Sequence, residues 1–195
     1  DVQRKLNISY MTAKKKLDSL LEALQLCSMV ENEKEETTDM NFLKKEIHSE
    51  VNASDIIKKK LWKNGGRALV YSINGKEYTI KAEKDGKTFS SDALPIGPNY
   101  EYSVFDVIVD LLIREGGRAA KGNGRNFKLG QGNCTEDTVV GAIAKYYAGR
   151  QLGESVFDPV FILAAILEWA GVVNNCRGYI EFTTEYRQLL ASKQL

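Results

Sequence analysis

The 195-residue chain has few of the residues that mark special protein classes: three Cys, three Pro and one His. Three distant cysteines give no disulfide framework, and a single His removes the usual zinc-ligand patterns. The longest apolar run, residues 159–170, is interrupted by Glu168 and is shorter than the roughly 20 residues of a membrane span. These absences exclude the disulfide-rich and membrane classes. They predict a protein of a reducing compartment, cytoplasmic or nuclear.

The chain also lacks an excess of charge of either sign, since 27 basic and 26 acidic residues leave a net charge of +1. No global field therefore draws the protein towards nucleic acid or membrane. The charge is nevertheless uneven, because residues 1–29, 51–87 and 114–134 carry net charges of +2, +5 and +4 between acidic stretches. This pattern predicts local basic faces on a neutral protein, and the alternative is the ordinary fluctuation of charge along a soluble chain.

The first block has the pattern of a helix with one apolar and one polar side. Ser9 is suited to cap the helix, and Leu17, Leu20 and Leu24 recur at the spacing of a buried face. The polar side carries the residues that we predict to contact DNA: Ser9, Tyr10, Thr12, Lys14 and Lys15. The block resembles the helix-turn-helix of winged-helix regulators, in which an isoleucine and a serine precede the recognition helix. A solvated surface helix is the alternative. A winged helix needs a further helix ahead of Val2, supplied by a longer parent chain or by a later segment.

The middle of the chain predicts a small α+β region. Residues 31–39 are polar and mostly acidic and indicate a loop, and two amphipathic helices follow before Gly65-Gly66. Residues alternate in polarity on both sides of Asn74-Gly75, which predicts a β-hairpin. A third strand is expected near residues 88–90, after a turn at Asp85-Gly86.

The last block predicts three helices followed by a hairpin. The helices are expected at residues 102–114, at 135–147 with Thr135 as the cap, and at 158–170. Two short strands with a turn at residues 174–175 follow, and this tail resembles the final helix and wing of winged-helix domains. The third helix is apolar nearly all round and has no Lys or Arg, so we expect it to pack against protein. Arg177 in the hairpin is then the DNA contact of this block.

A glycine-rich basic loop joins the first two of these helices. Residues 116–133 hold six of the sixteen glycines, and every charge in them is positive. Glycines let backbone amides approach phosphates, while Phe127 offers a stacking face. The predicted nucleic-acid contacts are Arg118, Lys121, Arg125 and Lys128. We expect residues 118–128 to be mobile without DNA; a flexible linker and a protein surface ordered on binding are the alternatives.

The predicted fold class is α+β, mostly helical, with winged-helix-like units at both ends of a small antiparallel hairpin region. The expected divisions are residues 1–38 (helix-turn-helix-like segment and acidic connector), 39–100 (α+β region) and 101–195 (winged-helix-like domain with the basic loop).

The predicted function is binding of double-stranded DNA, as a transcriptional regulator or as a replication or mobile-element accessory factor. The alternative is a subunit that docks on a protein partner or on a second copy of itself. No membrane association is expected. We find no convergent catalytic residues, so enzymatic activity is disfavoured without being excluded, and no metal or other cofactor is expected.

Overall fold

The computed structural model describes residues 41–193 of the chain. The helix-turn-helix-like segment, with Ser9, Tyr10, Thr12, Lys14 and Lys15, lies outside the described residues. Within them, the architecture is mixed, with six α-helices and two small antiparallel sheets. The longest of these helices has 12 residues, so none in the described part is long enough to cross a membrane.

The first part of the described chain consists of two helices and a four-stranded sheet of order β1-β2-β3-β4. The predicted hairpin is confirmed, since β1 and β2 pair antiparallel around Asn74-Gly75 with Leu69 opposite Thr79. The predicted third strand is also present. The elements are α1 (Asn41–Lys45), α2 (Ala53–Lys63), β1 (Arg67–Tyr71), β2 (Glu77–Ala82), β3 (Thr88–Ser91) and β4 (Tyr100–Glu101).

The second part alternates helices with a three-stranded antiparallel sheet of order β5-β7-β6. A π-helical turn, Ile143–Tyr147, continues directly from its second helix. The elements are α3 (Ser103–Arg114), β5 (Arg118–Ala120), α4 (Val139–Ala142), α5 (Val160–Ala170), β6 (Val173–Asn175), β7 (Tyr179–Phe182) and α6 (Thr184–Ser192).

Helices from both sides of the predicted boundary at residue 100 share one core. Phe89 of β3 packs its ring against Tyr102 and against Phe105 of α3, each at 5.2 Å between centroids. Helix α5 packs on α2 and β1, and the ring centroid of Phe161 lies 5.7 Å from that of Tyr78 in β2. The burial expected for α5 is confirmed, because seven of its eleven residues are buried.

Two local predictions in the second part are wrong in detail. The second helix begins at Val139 rather than at Thr135, because Thr138 is its cap and accepts a hydrogen bond from the Gly141 amide at 3.3 Å. The last hairpin turns at Arg177-Gly178 rather than at residues 174–175. Asn175 instead belongs to β6 and is buried.

Candidate nucleic-acid interface

The β6–β7 hairpin ends in a tight two-residue turn that presents Arg177 to solvent. The Cys176 amide donates to the Tyr179 carbonyl at 3.1 Å and closes the turn. Gly178 has φ of 84°, in the left-handed region that a side chain disfavours. A glycine after Arg177 therefore allows the backbone conformation that this turn requires. The arginine is therefore exposed at the tip of a short and well-defined hairpin.

Lys121 holds this hairpin from the side. Its ammonium donates to the Asn175 side-chain oxygen at 2.6 Å and to the Cys176 carbonyl at 2.7 Å, and its amide donates to the Gly178 carbonyl at 2.9 Å. Burial lowers the pKa of Lys121, against the smaller opposite influence of Cys176 and Glu168. Lys121 was expected to contact phosphate. Its three hydrogen bonds instead stabilise the turn that carries Arg177.

Arg118 lies on β5, next to the hairpin, and is exposed. Its guanidinium stacks over the Tyr179 ring at 3.6 Å from the centroid, which fixes a planar cation on the sheet surface. Glu181 of β7 lies opposite Arg118 in the strand register and reduces the local positive charge. A role for Tyr179 in this surface was not predicted from the sequence. Its position two residues after Arg177 in a strand of alternating polarity was the available indication.

The glycine-rich loop is anchored in the protein at several points. The Gly124 amide donates to Asp158 Oδ2 at 3.1 Å, and the Leu129 amide donates to the Glu154 carbonyl at 3.0 Å. The side chain of Leu129 is 1% exposed. Gly122 has φ of 80°, and a Cβ there would lie 2.6 Å from the Asn133 carbonyl oxygen. This network differs from the expected mobile segment, because backbone groups of the loop are paired and one of its side chains belongs to the core.

Two predicted contacts of the loop remain at the surface. Arg125 and Lys128 are exposed, and Phe127 between them is 38% exposed. None of the salt bridges among residues 41–193 involves Arg125 or Lys128. The anchored backbone therefore presents two cations that no described carboxylate neutralises.

The structure thus brings Arg118, Lys121 and Arg177 together on the three-stranded sheet, and it places Arg125 and Lys128 on the loop that leads out of β5. Chain connectivity limits the separation of the two groups, since residue 125 is only four residues beyond residue 121. Four residues span at most about 14 Å when fully extended.

Helix α5 packs against α2 and β1. Its C-terminal end meets Lys60 of α2, whose ammonium donates to the Trp169 carbonyl and lies 4.7 Å from the centroid of the Trp169 ring. A cation at this end complements the helix dipole. The α5 surface that contacts α2 and β1 is consequently not available to a DNA groove.

The described residues contain no group of three His, Cys, Asp or Glu placed to hold a metal ion. Comparison of the chain with protein-family models, curated proteins and solved structures finds no match.

Proposed function

We propose that residues 103–182 form a winged-helix-type domain that binds duplex DNA through its hairpin and basic loop rather than through its third helix. The observation that carries this proposal is the exposed Arg177 on a hairpin that Lys121 stabilises by hydrogen bonds. The chain would then act as a DNA-binding regulator or as a replication or mobile-element accessory factor.

The order of the elements supports the winged-helix part of the proposal. A helix and a strand come first, two helices follow, and a hairpin then pairs through β7 with the first strand to give the order β5-β7-β6. Gly171, with φ of 84°, ends α5 and leads directly into β6, as expected for a helix that runs into a wing.

The charge distribution supports the choice of surface. Arg177, Arg125 and Lys128 are exposed and none of them takes part in a salt bridge of the described part. Phosphate contacts by such side chains supply most of the affinity of a protein for DNA and make it dependent on salt. Because Glu181 lies opposite Arg118, we assign the larger share of phosphate contact to the other three cations.

The test compares charge reversal at Arg177 with charge reversal at a remote site. Lys84→Glu is the matched control, since Lys84 is exposed in the turn between β2 and β3 of the other sheet. Binding of the full chain to a labelled duplex is measured by fluorescence anisotropy over a series of salt concentrations. We expect Arg177→Glu to weaken binding and to reduce the salt slope by about 1, and Lys84→Glu to do neither.

Equal effects of the two reversals, or negligible affinity of the unmodified chain at low salt, would contradict the proposal. A Lys14→Ala, Lys15→Ala double variant measured in the same assay tests the predicted N-terminal contact separately. Reduced binding in that variant together with an unaffected Arg177→Glu variant would transfer the proposed interface to the first block.

A protein-interaction subunit is the second candidate, and the apolar surface near α3 favours it. Ile113, Tyr146 and Phe157 are about half exposed, with relative exposures of 48%, 47% and 52%. Tyr146 lines one hollow together with Ile113 and another together with Phe157, and exposed apolar side chains grouped in this way are typical of protein interfaces. A purified chain that lacks DNA affinity and forms a stoichiometric complex with a protein partner would favour this function.

A further inference from the structure

A hollow of about 670 Å³ is lined by residues that include none of the hairpin residues discussed above. Its walls come from residues 95–101, from α3, from the π-helical turn and from the segment before α5. Small-molecule sites have volumes of about 300–1,000 Å³ and are lined mainly by apolar and aromatic side chains with few polar groups. The hollow has both properties.

The aromatic part of the lining is held in place by its own contacts. Tyr100 and Tyr147 stack with their planes at 17° and their centroids 5.5 Å apart, and the Glu101 amide donates to the Tyr147 hydroxyl at 2.8 Å. The Tyr146 ring is fixed by the Arg114 guanidinium at 5.0 Å and by a hydrogen bond from its hydroxyl to Glu136 at 3.0 Å. The hollow therefore offers fixed aromatic side chains before any ligand arrives.

Tyr100 and Tyr147 are also neutral near pH 7. Burial, with a smaller contribution from Tyr147, raises the pKa of Tyr100 to about 12, and burial also raises the pKa of Tyr147. Neither ring adds negative charge to the lining.

Arg150 is the single basic residue of the lining. Its amide donates to the Ala144 carbonyl at 2.8 Å, which ties its backbone to the end of the π-helical turn. The guanidinium forms no salt bridge within residues 41–193. The lining also contains one acid, Glu101, whose Oε2 accepts a hydrogen bond from the Ser103 hydroxyl at 3.1 Å and which forms no salt bridge with Arg150. A guanidinium without a salt bridge, in a lining that also contains aromatic side chains, is suited to a carboxylate or a phosphate.

We propose that this hollow binds a planar aromatic anion, with its ring against the aromatic side chains of the lining and its anionic group on Arg150. The aromatic side chains of the lining favour a ring over a flexible chain, because stacking adds to the burial of apolar area. An anionic group can pair with Arg150, which a neutral or cationic compound of the same shape cannot do. The site is independent of the proposed DNA interface, since it shares none of the residues assigned to that interface.

The experiment uses three naphthalene compounds of similar shape and the full-length chain. Naphthalene-2-carboxylate and 2-naphthyl phosphate carry the two kinds of anionic group, and 2-naphthamide is the neutral counterpart. Dissociation constants are measured by isothermal titration calorimetry and checked by the ligand-dependent increase in Tm. We expect at least one anion to bind about 10-fold more tightly than the amide, because a charge-assisted pair is absent in the neutral compound. The tighter of the two anions identifies the preferred group.

Arg150→Gln and Arg67→Gln separate the site from a general effect of charge. Arg67 is an exposed residue of β1 outside the hollow, so its removal is a matched control. We expect Arg150→Gln to abolish the preference for the anion and Arg67→Gln to leave it unchanged, with both variants folded by circular dichroism. Equal affinity of the amide and the anions, or no saturable binding of either anion at about 1 mM, would overturn the proposal. An anion preference that survives in Arg150→Gln would also overturn it.

Discussion

Truncation of Leu129 tests whether the glycine-rich loop is a structural element. This side chain is 1% exposed although it belongs to a loop with six glycines, and its backbone pairs in both directions with residues 153 and 154. Leu129→Ala removes apolar atoms worth about 2 kcal/mol of transfer free energy and leaves a void that a loop can partly close. We therefore expect a loss of about 2.5 kcal/mol, in the lower half of the range of about 2–5 kcal/mol for buried leucines.

The loss is measured as a decrease in Tm and in the urea midpoint. For a protein of this size, about 2.5 kcal/mol corresponds to a decrease in Tm of roughly 5–10 °C. Lys128→Ala is the matched control, because its side chain is exposed and adjacent, and we expect it to change stability by less than about 0.5 kcal/mol. If Leu129→Ala is no more destabilising than Lys128→Ala, the loop is not anchored through Leu129 and the inference of a structural loop is refuted.

Two further predictions concern buried polar groups. Burial raises the pKa of Asp106, whose Oδ1 accepts from the Ser54 amide at 3.0 Å, so the charged form lowers stability as the pH rises through that raised pKa. Asp106→Asn keeps the acceptor and should raise Tm at about pH 7 but not at about pH 3; equal gains at both values would contradict this. The Tyr102 hydroxyl is buried without a hydrogen-bond partner among the described residues, so Tyr102→Phe should increase the free energy of unfolding by about 1 kcal/mol in urea titrations. A decrease would indicate a partner for this hydroxyl.

Local signals in the sequence are sufficient for several elements. Asn74-Gly75 lies at the tip of the β1–β2 hairpin, and Pro159 and Gly171 flank α5. Each of these residues acts on its own backbone or on its immediate neighbours, so the pattern alone identifies the element. The burial of α5 is equally evident, because a helix without a polar face has no side to present to water.

The loop and the hairpin turn depend on partners that are distant in sequence. Asp158 lies two residues before α5, whose cap position is Pro159, and its Oδ1 accepts from the Val160 amide at 3.3 Å. Its other oxygen accepts from the amide of Gly124, 34 residues earlier. Asn175 has the composition of a turn residue and is instead buried in β6, where it receives the Lys121 ammonium. Glycine content and polarity describe only the local chain. They therefore predicted a mobile loop, and they placed the last hairpin turn at residues 174–175 instead of 177–178.

The residues of the candidate interface show the same difference between what neighbouring residues and what distant residues determine. The sequence identified Arg118, Arg125, Lys128 and Arg177 as exposed cations, because exposure of charge is the default for a basic side chain. It did not identify Lys121 as the residue that holds the hairpin, since that role requires Asn175 and Cys176 to be brought beside β5.

The position of α5 then limits which surfaces are available for the proposed binding of DNA. Lys60 of α2 and Tyr78 of β2 contact α5 at Trp169 and Phe161, so the face of α5 that makes these contacts is covered by other parts of the protein. Substitutions in this contact therefore act on folding, and we expect any effect on the proposed DNA binding to follow the fraction of folded protein. Substitutions at Arg177 act on an exposed charge that contributes little to folding, so their effect on binding is separable from stability. This separation distinguishes a DNA-binding hairpin from a structural one, and it makes Arg177 a more informative residue than any position of α5.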